Sequence, residues 1–404
     1  MPNSFAEIPG GVTAPKAFIA GSVYAGIKAS NASRPDIAFV HSTQPAVGAG
    51  TFTTNKVKAA PVRVSQAHIR AGETRTIVAN SGNANACTGV VGIEHAKRMV
   101  KAAAKAFGVG DRNVLVCSTG RIGISLPIEK MEEAISRGPS EANDSGSLRA
   151  AEAIMTSDTF PKEAAVEFEI DGKTVRIGGI AKGAGMIDPN MATMLSFITT
   201  DAVIDKKLLQ QALSDAVEQS FNRITIDGDM STNDTVLMLA NGASGSTPLR
   251  DGSVEFDRFQ NALNHVVCTL ARLIVEDGEG VTKFVTVQVR GARNRQDARK
   301  AAEAVANSTL TKCAWFGGDP NWGRIMDAIG YSNARMREEM VDIYYDGLIA
   351  VQNGMAAPTP FSKLQDVVAH KRFTITVDLH LGEADYTVFT TDLSTRYVEL
   401  NMGE

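Results

Sequence analysis

Apolar positions in the first half of the chain alternate between strand spacing and helix spacing. Two short apolar runs, 74–80 and 113–118, predict buried strands that each lead into a glycine-containing loop. The stretch 93–108 between them has helical spacing and ends at Gly108, a residue suited to closing a helix. Strands and helices therefore follow one another here, with loops at the strand ends.

Two further helices and a hairpin follow. A helix is predicted behind Pro127, with an apolar face made of Ile128, Met131, Ala134 and Ile135. Residues 146–158 predict a second helix that ends in polar residues. The stretch 166–180 alternates in polarity on both sides of Asp171-Gly172, which predicts a β-hairpin.

The second half continues with the same mixture. Helices are predicted at 205–221 and 257–276, and exposed loops at 141–147 and 352–362. Further strands are predicted at 284–291, 340–347, 372–382 and 385–393. Mixed strands and helices with several hairpins favour a layered α+β fold over a doubly wound sheet.

Composition excludes several classes of protein. The chain has 404 residues and a net charge of −4, from 41 Lys and Arg against 45 Asp and Glu. This balance argues against a nucleic-acid binder driven by bulk positive charge. We expect no signal peptide and no membrane span, so the protein is expected in the cytoplasm with free thiols. Cysteines and histidines are too scattered for a metal site, which is therefore not expected.

Four segments are unusually rich in glycine and small polar residues: 80–89, 117–127, 181–202 and 276–284. Each lies where a predicted strand or helix ends. Such loops expose backbone amides that can bind anions, so they are candidate parts of a site. Each segment taken alone is better explained as an ordinary turn.

The third of these segments admits two interpretations. Thr193 follows the turn 188–190 and precedes an apolar run, so it can be a β-branched residue starting a buried strand. Alternatively, its hydroxyl attacks the preceding carbonyl and cleaves the Ala192–Thr193 bond. Thr193 would then be an N-terminal nucleophile whose own α-amine serves as general base.

Motifs along nearly the whole chain resemble those of the ornithine acetyltransferase family, also called glutamate N-acetyltransferases. The self-cleavage segment of that family is similar to KGAGMIDPNMATMLSFITTDA at 182–202. The remaining similar segments, in chain order, are TFTTNKVKAAPV, NSGNANACTG, CSTGRIG, AIMTSDTFPK, SFNRITIDGDMSTNDT, VEDGEGVTKF and GGDPNWGRIMDAIG.

The resemblance implies a fold and a processing event. The implied fold is a layered α/β sandwich of the aminopeptidase and ornithine acetyltransferase type. Cleavage between Ala192 and Thr193 would give an amino-terminal fragment, 1–192, and a carboxy-terminal fragment, 193–404. In the family the two fragments stay associated, usually as an α2β2 heterotetramer.

The resemblance also implies the catalytic residues. Thr193 matches the nucleophile, and Thr119 with Gly120 matches the pair that stabilises the oxyanion through a hydroxyl and a backbone N–H. An amide is a poor electrophile, and one oxyanion donor is typically worth roughly 3–4 kcal/mol in the transition state. A terminal α-amine has a pKa near 8, so about a tenth of it is unprotonated at neutral pH and can serve as base.

Substrate binding is implied for a further set of residues. Thr159, Lys182, Thr193, Glu279 and Asn401 match positions that contact the amino-acid substrate. Lys182 suits a substrate α-carboxylate, and Glu279 suits a substrate ammonium. The implied reaction is ping-pong acetyl transfer from N-acetyl-L-ornithine to L-glutamate, with no cofactor. Whether acetyl-CoA is a second donor stays open.

Three positions depart from the family pattern. The chain ends three residues after Asn401, whereas the family normally continues to a terminal Ser or Thr. Arg121 replaces a small aliphatic residue in the oxyanion loop, where it either contacts a carboxylate or faces solvent. Met230 replaces the commoner Thr. These departures affect the substrate assignment more than the catalytic set.

Two other functions use the same features. An N-terminal-threonine amidase or aminopeptidase would employ Thr193, Thr119 and Gly120 but would transfer the acyl group to water. A binding protein without turnover would keep only the amino-acid pocket. The shortened end after Asn401 and the change at Met230 are the features that favour it.

Overall fold

A computed structural model describes residues 5–28, 34–188 and 194–402. The described chain divides into two compact units. The first comprises residues 5–28, 34–183, 194–222 and 230–274. The second comprises residues 184–188, 223–229 and 275–402.

The first unit contains two sheets. Its strands are β1 Ala6–Glu7, β2 Phe18–Val23, β3 Ile37–Ser42, β4 Val47–Phe52, β5 Thr76–Asn83, β6 Val114–Arg121, β7 Lys162–Ile170, β8 Lys173–Lys182, β9 Leu195–Thr200 and β10 Thr235–Ala240. One sheet has the order β1-β7-β8-β9-β10-β4, and the other has the order β2-β3-β5-β6. Pairing is mostly antiparallel, but β5–β6 and β9–β10 are parallel.

Seven helices pack against these sheets in the described residues. They are α1 Ala60–Ala71, α2 Gly89–Phe107, α3 Ile128–Ser136, α4 Gly138–Glu141, α5 Ser147–Ile154, α6 Lys206–Gln219 and α7 Val254–Glu276. Apolar residues of both sheets, such as Leu115 and Phe197, share one core with α5. The other face of the smaller sheet packs against α2 and α3, while Leu270 of α7 lies over Gly179 in the larger sheet. The layered α+β sandwich predicted from the sequence is confirmed.

Local sequence signals account for several of these elements. Helix α2 ends at Gly108, whose positive φ of 64° lets its N–H donate to the carbonyl of Ala104. Strands β7 and β8 form the predicted hairpin, and Asp171 and Gly172 both take positive φ angles, as a two-residue turn requires. The four apolar residues predicted for α3 are buried, and this helix begins directly after Pro127.

The second unit is built on one six-stranded sheet. Its strands are β11 Phe284–Ala292, β12 Asp342–Tyr345, β13 Leu348–Gln352, β14 Met355–Ala356, β15 Arg372–Asp378 and β16 Ala384–Thr391, in the order β14-β13-β12-β15-β11-β16. Its helices are α8 Arg295–Asn307, α9 Thr309–Phe316, α10 Trp322–Tyr331, α11 Phe361–Ala369 and α12 Thr395–Leu400. A single apolar core lies between the sheet and these helices, with Trp315 and Tyr345 fully buried.

The exposed loop predicted at 141–147 is confirmed at its centre, where Asn143, Asp144 and Ser145 are exposed, whereas Gly146 and Ser147 are buried. Two other local predictions were wrong. The helix predicted at 146–158 stops at Ile154. Beyond it, the carboxylate of Asp158 accepts a hydrogen bond from the Thr156 backbone N–H and competes with helical pairing. The loop predicted at 352–362 contains β14 and the start of α11.

The compact units do not follow the division at 192/193 that the resemblance implies. Strands β9 and β10 belong to the predicted carboxy-terminal fragment, yet they lie in the larger sheet of the first unit. Strand β9 pairs with β8 from Ile177↔Thr200 to Lys182↔Leu195. The two-fragment organisation stays a prediction.

Helices of the described residues are all too short or too polar to cross a membrane. In the same part of the chain, no cluster of three or more His, Cys, Asp or Glu side chains could hold a metal ion.

The second unit buries one cation completely. Lys312, on α9, donates from Nζ to the Thr390 hydroxyl at 2.7 Å and to the Thr391 carbonyl at 2.6 Å. Burial lowers the pKa of Lys312 to about 7.

The free energy of unfolding of Lys312→Met is expected to fall relative to that of the wild type as the pH rises from about 7 to about 9. Folded wild type releases the Lys312 proton near pH 7, whereas unfolded chains retain it to about pH 10.5, so wild-type stability rises across this range. The variant lacks this group. Urea unfolding of both proteins at the two pH values checks the prediction, and a stability difference that does not change with pH would contradict it.

Candidate active site

The predicted oxyanion residues lie at the end of β6. Thr119 is buried, and Gly120 pairs with Gly82 of the neighbouring parallel strand β5. A Cβ at Gly120 would lie 2.4 Å from the carbonyl carbon of Gly82, and φ at Gly120 is +128°. Only glycine fits both constraints, so the close approach of the two strand ends explains the glycine in this loop.

Side-chain amides hold the loops around this strand pair. Asn233 donates from Nδ2 to the carbonyl of Ala84 at 2.6 Å and to that of Ser118 at 2.7 Å. The Ser118 hydroxyl in turn donates to the side-chain oxygen of Asn80 at 2.6 Å. Asn80 also donates from Nδ2 to the carbonyl of Asn83, so Asn233 and Asn80 fix backbone positions near Thr119.

A buried cluster of charges surrounds Asp158. Its carboxylate accepts from Lys162 Nζ at 2.8 Å, from Gly183 N at 2.7 Å and from Thr156 N at 3.0 Å. Lys182, at the end of β8, lies 3.6 Å from the same carboxylate and donates to the Thr156 hydroxyl at 2.6 Å. Asp158 therefore fixes the position of Lys182, one of the predicted substrate-binding residues.

The electrostatics of this cluster favour the ionised forms. Burial opposes ionisation of Asp158, but Lys182, Lys162 and the hydrogen bonds outweigh it, so its pKa lies well below the usual range. Two buried ammonium groups face one carboxylate. This excess of positive charge suits an anionic ligand, such as the carboxylate of an amino acid.

Ala192 and Thr193 lie outside the described residues. The next residue in the chain, Met194, is buried, and its N–H donates to Oδ1 of Asp234 at 3.0 Å. Burial raises the pKa of Asp234 well above its usual value. Asp234 therefore fixes the start of the stretch that leads into β9.

The second unit brings together two predicted substrate-binding residues that are far apart in the sequence. Asn401 donates from Nδ2 to a carboxylate oxygen of Glu279 at 2.9 Å. The Glu279 backbone N–H donates to the carbonyl of Ala184 at 2.9 Å. Tyr397, on the same short helix α12, donates its hydroxyl to Asp227 at 3.2 Å.

Three other positions were singled out from the sequence, namely Thr159, Arg121 and Met230. Thr159 is exposed and follows Asp158 in the chain. Arg121 is exposed, which agrees with the solvent-facing alternative. The sulfur of Met230 accepts from the Thr54 hydroxyl at 3.5 Å.

Sequence reasoning gave no role to several residues of these clusters, among them Asp158, Thr156 and Asn233. Asp158 and Thr156 lie inside a motif that was recognised, but they fell within a predicted helix and received no role. Asn233 lies in another recognised motif, but the backbone carbonyls that accept from its amide are distant in the sequence and are identified only in the folded chain.

Comparisons with known proteins identify the family to which this chain is similar. The ArgJ family model matches residues 19–403. The arginine biosynthesis bifunctional protein ArgJ of Symbiobacterium thermophilum is 46% identical over 394 residues, covering 98% of each chain. The glutamate N-acetyltransferase of Methanocaldococcus jannaschii is 47% identical over 406 residues, again covering 98% of each chain.

A solved structure is also similar. The crystal structure of the arginine biosynthesis bifunctional protein ArgJ from Bacillus halodurans is 38% identical, with a TM-score of 0.51. It matches 52% of this chain and 100% of its own. Together the matches make this chain an acyltransferase related to proteins of arginine biosynthesis. The chain belongs to the ArgJ family.

Proposed function

We propose that the protein transfers an acetyl group from N-acetyl-L-ornithine to L-glutamate through an acetyl-Thr193 intermediate. The observation that carries the proposal is the buried ammonium of Lys182, held by Asp158 in a cluster with excess positive charge. Such a cluster suits the carboxylate of an amino acid. Similarity to a glutamate N-acetyltransferase along the whole chain supports the same reaction.

Self-cleavage prepares the nucleophile. The Thr193 hydroxyl attacks the carbonyl carbon of Ala192, and the C–N bond breaks to give an ester and a free α-amine. Water then hydrolyses the ester, which leaves a carboxylate on Ala192 and restores the hydroxyl. The fragments stay associated because β9 and β10 are hydrogen-bonded between β8 and β4 within one sheet.

Acetyl transfer then takes place in two half-reactions. The α-amine of Thr193 accepts the hydroxyl proton while the oxygen attacks the acetyl carbonyl of N-acetylornithine. Thr119 and Gly120 stabilise the oxyanion, and ornithine leaves with the proton. The glutamate amine then attacks the acetyl-threonine ester, which releases N-acetylglutamate and restores the hydroxyl.

Recognition of the amino acids uses charges of both signs. Lys182 binds the α-carboxylate, and Thr159 contributes a hydroxyl. Glu279, hydrogen-bonded to Asn401, binds the side-chain ammonium of ornithine. No cofactor takes part in these steps. An α2β2 assembly in the cytoplasm remains part of the proposal.

Replacing Gly185 with Ala is expected to raise the KM for N-acetylornithine about tenfold, with little change in melting temperature. A Cβ at Gly185 would lie 2.8–2.9 Å from the carboxylate atoms of Glu279, so that flexible side chain must move. Steady-state kinetics check this. Gly330→Ala is the matched control, because nothing lies within 4 Å of a Cβ there. Equal KM values for both variants would contradict the role of Glu279.

Incubation with N-acetylornithine, with and without glutamate, tests the proposed reaction. We expect N-acetylglutamate and ornithine to form in equal amounts when glutamate is present. Ornithine release that is unaffected by glutamate would instead indicate an amidase. Absence of any acetyl adduct on Thr193 would favour a binding protein. Replacing N-acetylornithine with acetyl-CoA in the same assay shows whether the thioester is a second donor.

A further inference from the structure

Lys28 lies against the paired ends of β5 and β6, the strand pair that carries the predicted oxyanion residues. None of the recognised motifs contains Lys28. Asp36 fixes the loop that leads to it, accepting from Ala25 N at 2.7 Å and from Ile27 N at 2.6 Å. A Cβ at Gly82 would lie 3.0 Å from Cγ of Lys28, so the lysine stem packs on this glycine. Gly82 is the register partner of Gly120, which places the stem of Lys28 next to that strand pair.

The ammonium of Lys28 is incompletely satisfied. Nζ donates to the carbonyls of Pro35 and Ala153, and both distances are 3.4 Å, near the upper limit for a hydrogen bond. An ammonium has three donors. Among the described residues no acceptor for the third donor is found, and Lys28 is only half-buried. A ligand can therefore reach it.

The charges around Lys28 leave a positive excess. Burial lowers the pKa of Lys28 to about 8, and Asp36, Arg34, Lys182 and Asp158 act on it electrostatically. The ammonium is still largely protonated at neutral pH. Lys28, Lys162 and Lys182 give three positive charges against the carboxylates of Asp36 and Asp158. Asp234 also interacts with Lys182, but burial raises its pKa well above the usual value and so disfavours its charged form. One bound carboxylate reduces this excess.

We infer that Lys28 is a second ammonium group for the substrate α-carboxylate, acting together with Lys182. This inference rests on the proposed function, because it concerns the same amino-acid substrate. Two ammonium groups match the two oxygens of one carboxylate, and a charge-assisted hydrogen bond is stronger than a neutral one. Lys28 thereby selects for amino acids over amines that lack the carboxylate.

Calorimetric binding of ornithine and of putrescine, the same diamine without the carboxylate, tests the inference. Lys28→Met keeps the stem on Gly82 and removes the charge. We expect it to weaken ornithine binding about 10- to 100-fold and to leave putrescine binding unchanged. Lys28→Arg retains the charge and should recover most of the preference for ornithine. Lys101→Met, on the exposed face of α2, is the control and should behave as wild type.

The outcomes separate the alternatives. Equal losses for ornithine and putrescine would indicate a structural role for Lys28 and overturn the inference. An unchanged preference in Lys28→Met, with the preference lost in Lys182→Met, would overturn the inference and leave the proposed function standing. A wild-type protein that binds both diamines equally would overturn the carboxylate role of both lysines.

Discussion

Replacing Thr193 with Ala is expected to leave a single chain of 404 residues and to abolish acetyl transfer. The hydroxyl is needed twice, because it first attacks the Ala192 carbonyl and later accepts the acetyl group. Without cleavage no α-amine is released to act as base. A denaturing gel and a coupled acetyl-transfer assay on the purified variant check both effects.

Two further variants separate the chemistry from damage to the fold. Thr193→Ser keeps a hydroxyl and should still give two fragments. Thr200→Ala removes a buried hydroxyl from β9 that donates to the carbonyl of Arg176, and it should also be cleaved. If Thr193→Ala still gives two fragments, the proposal that the chain is cleaved between Ala192 and Thr193 is wrong.

Replacing Asp158 with Asn is expected to lower the free energy of unfolding by about 3–5 kcal/mol. The carboxylate is fully buried, accepts three hydrogen bonds and lies 3.6 Å from Lys182, and it compensates the buried ammonium of Lys162 at 2.8 Å. An amide has one acceptor oxygen and no charge, so Lys162 is left uncompensated. Urea unfolding at neutral pH measures the loss, and Asp144→Asn, in an exposed loop, is the control.

The same pair of proteins gives a second, pH-dependent result. Because the folded-state pKa of Asp158 lies below its unfolded value of 3.8, its stabilising contribution is present above that pH and is lost below it. The difference between wild type and Asp158→Asn should therefore be constant from about pH 7 to about pH 5 and should shrink below about pH 4. A difference that grows in acid would contradict the ion pairing.

Local signals in the sequence were sufficient for much of the fold. Asp171-Gly172 predicts its hairpin because few residues adopt two successive positive φ angles, and Gly108 closes α2 for a similar reason. Other elements were missed for different reasons. Strands β2 and β3 are buried at nearly every position, so polar and apolar residues do not alternate along them. Strand β4 and helices α8 to α10 were also not predicted, although the buried residues Ala298, Ala301 and Val305 of α8 have helical spacing.

The site was predictable only where residues belong to motifs. Glu279 and Asn401 were identified by resemblance, and the structure joins them by a hydrogen bond although 122 positions separate them. Asp158 was not identified, because the apolar spacing predicts a helix through residue 158. In the structure the helix ends at Ile154, and the Asp158 carboxylate accepts from the Thr156 N–H just beyond it. Lys28 has no sequence signal, since only packing on Gly82 brings it to the oxyanion strands.

Intact-mass measurement of the purified protein, before and after incubation with N-acetyl-L-ornithine, tests the proposed mechanism most directly. We predict two chains with the masses of residues 1–192 and 193–404. The larger one should gain a single acetyl group and lose it when L-glutamate is added. A single uncleaved chain, or an acetyl group on a residue other than Thr193, would contradict the account.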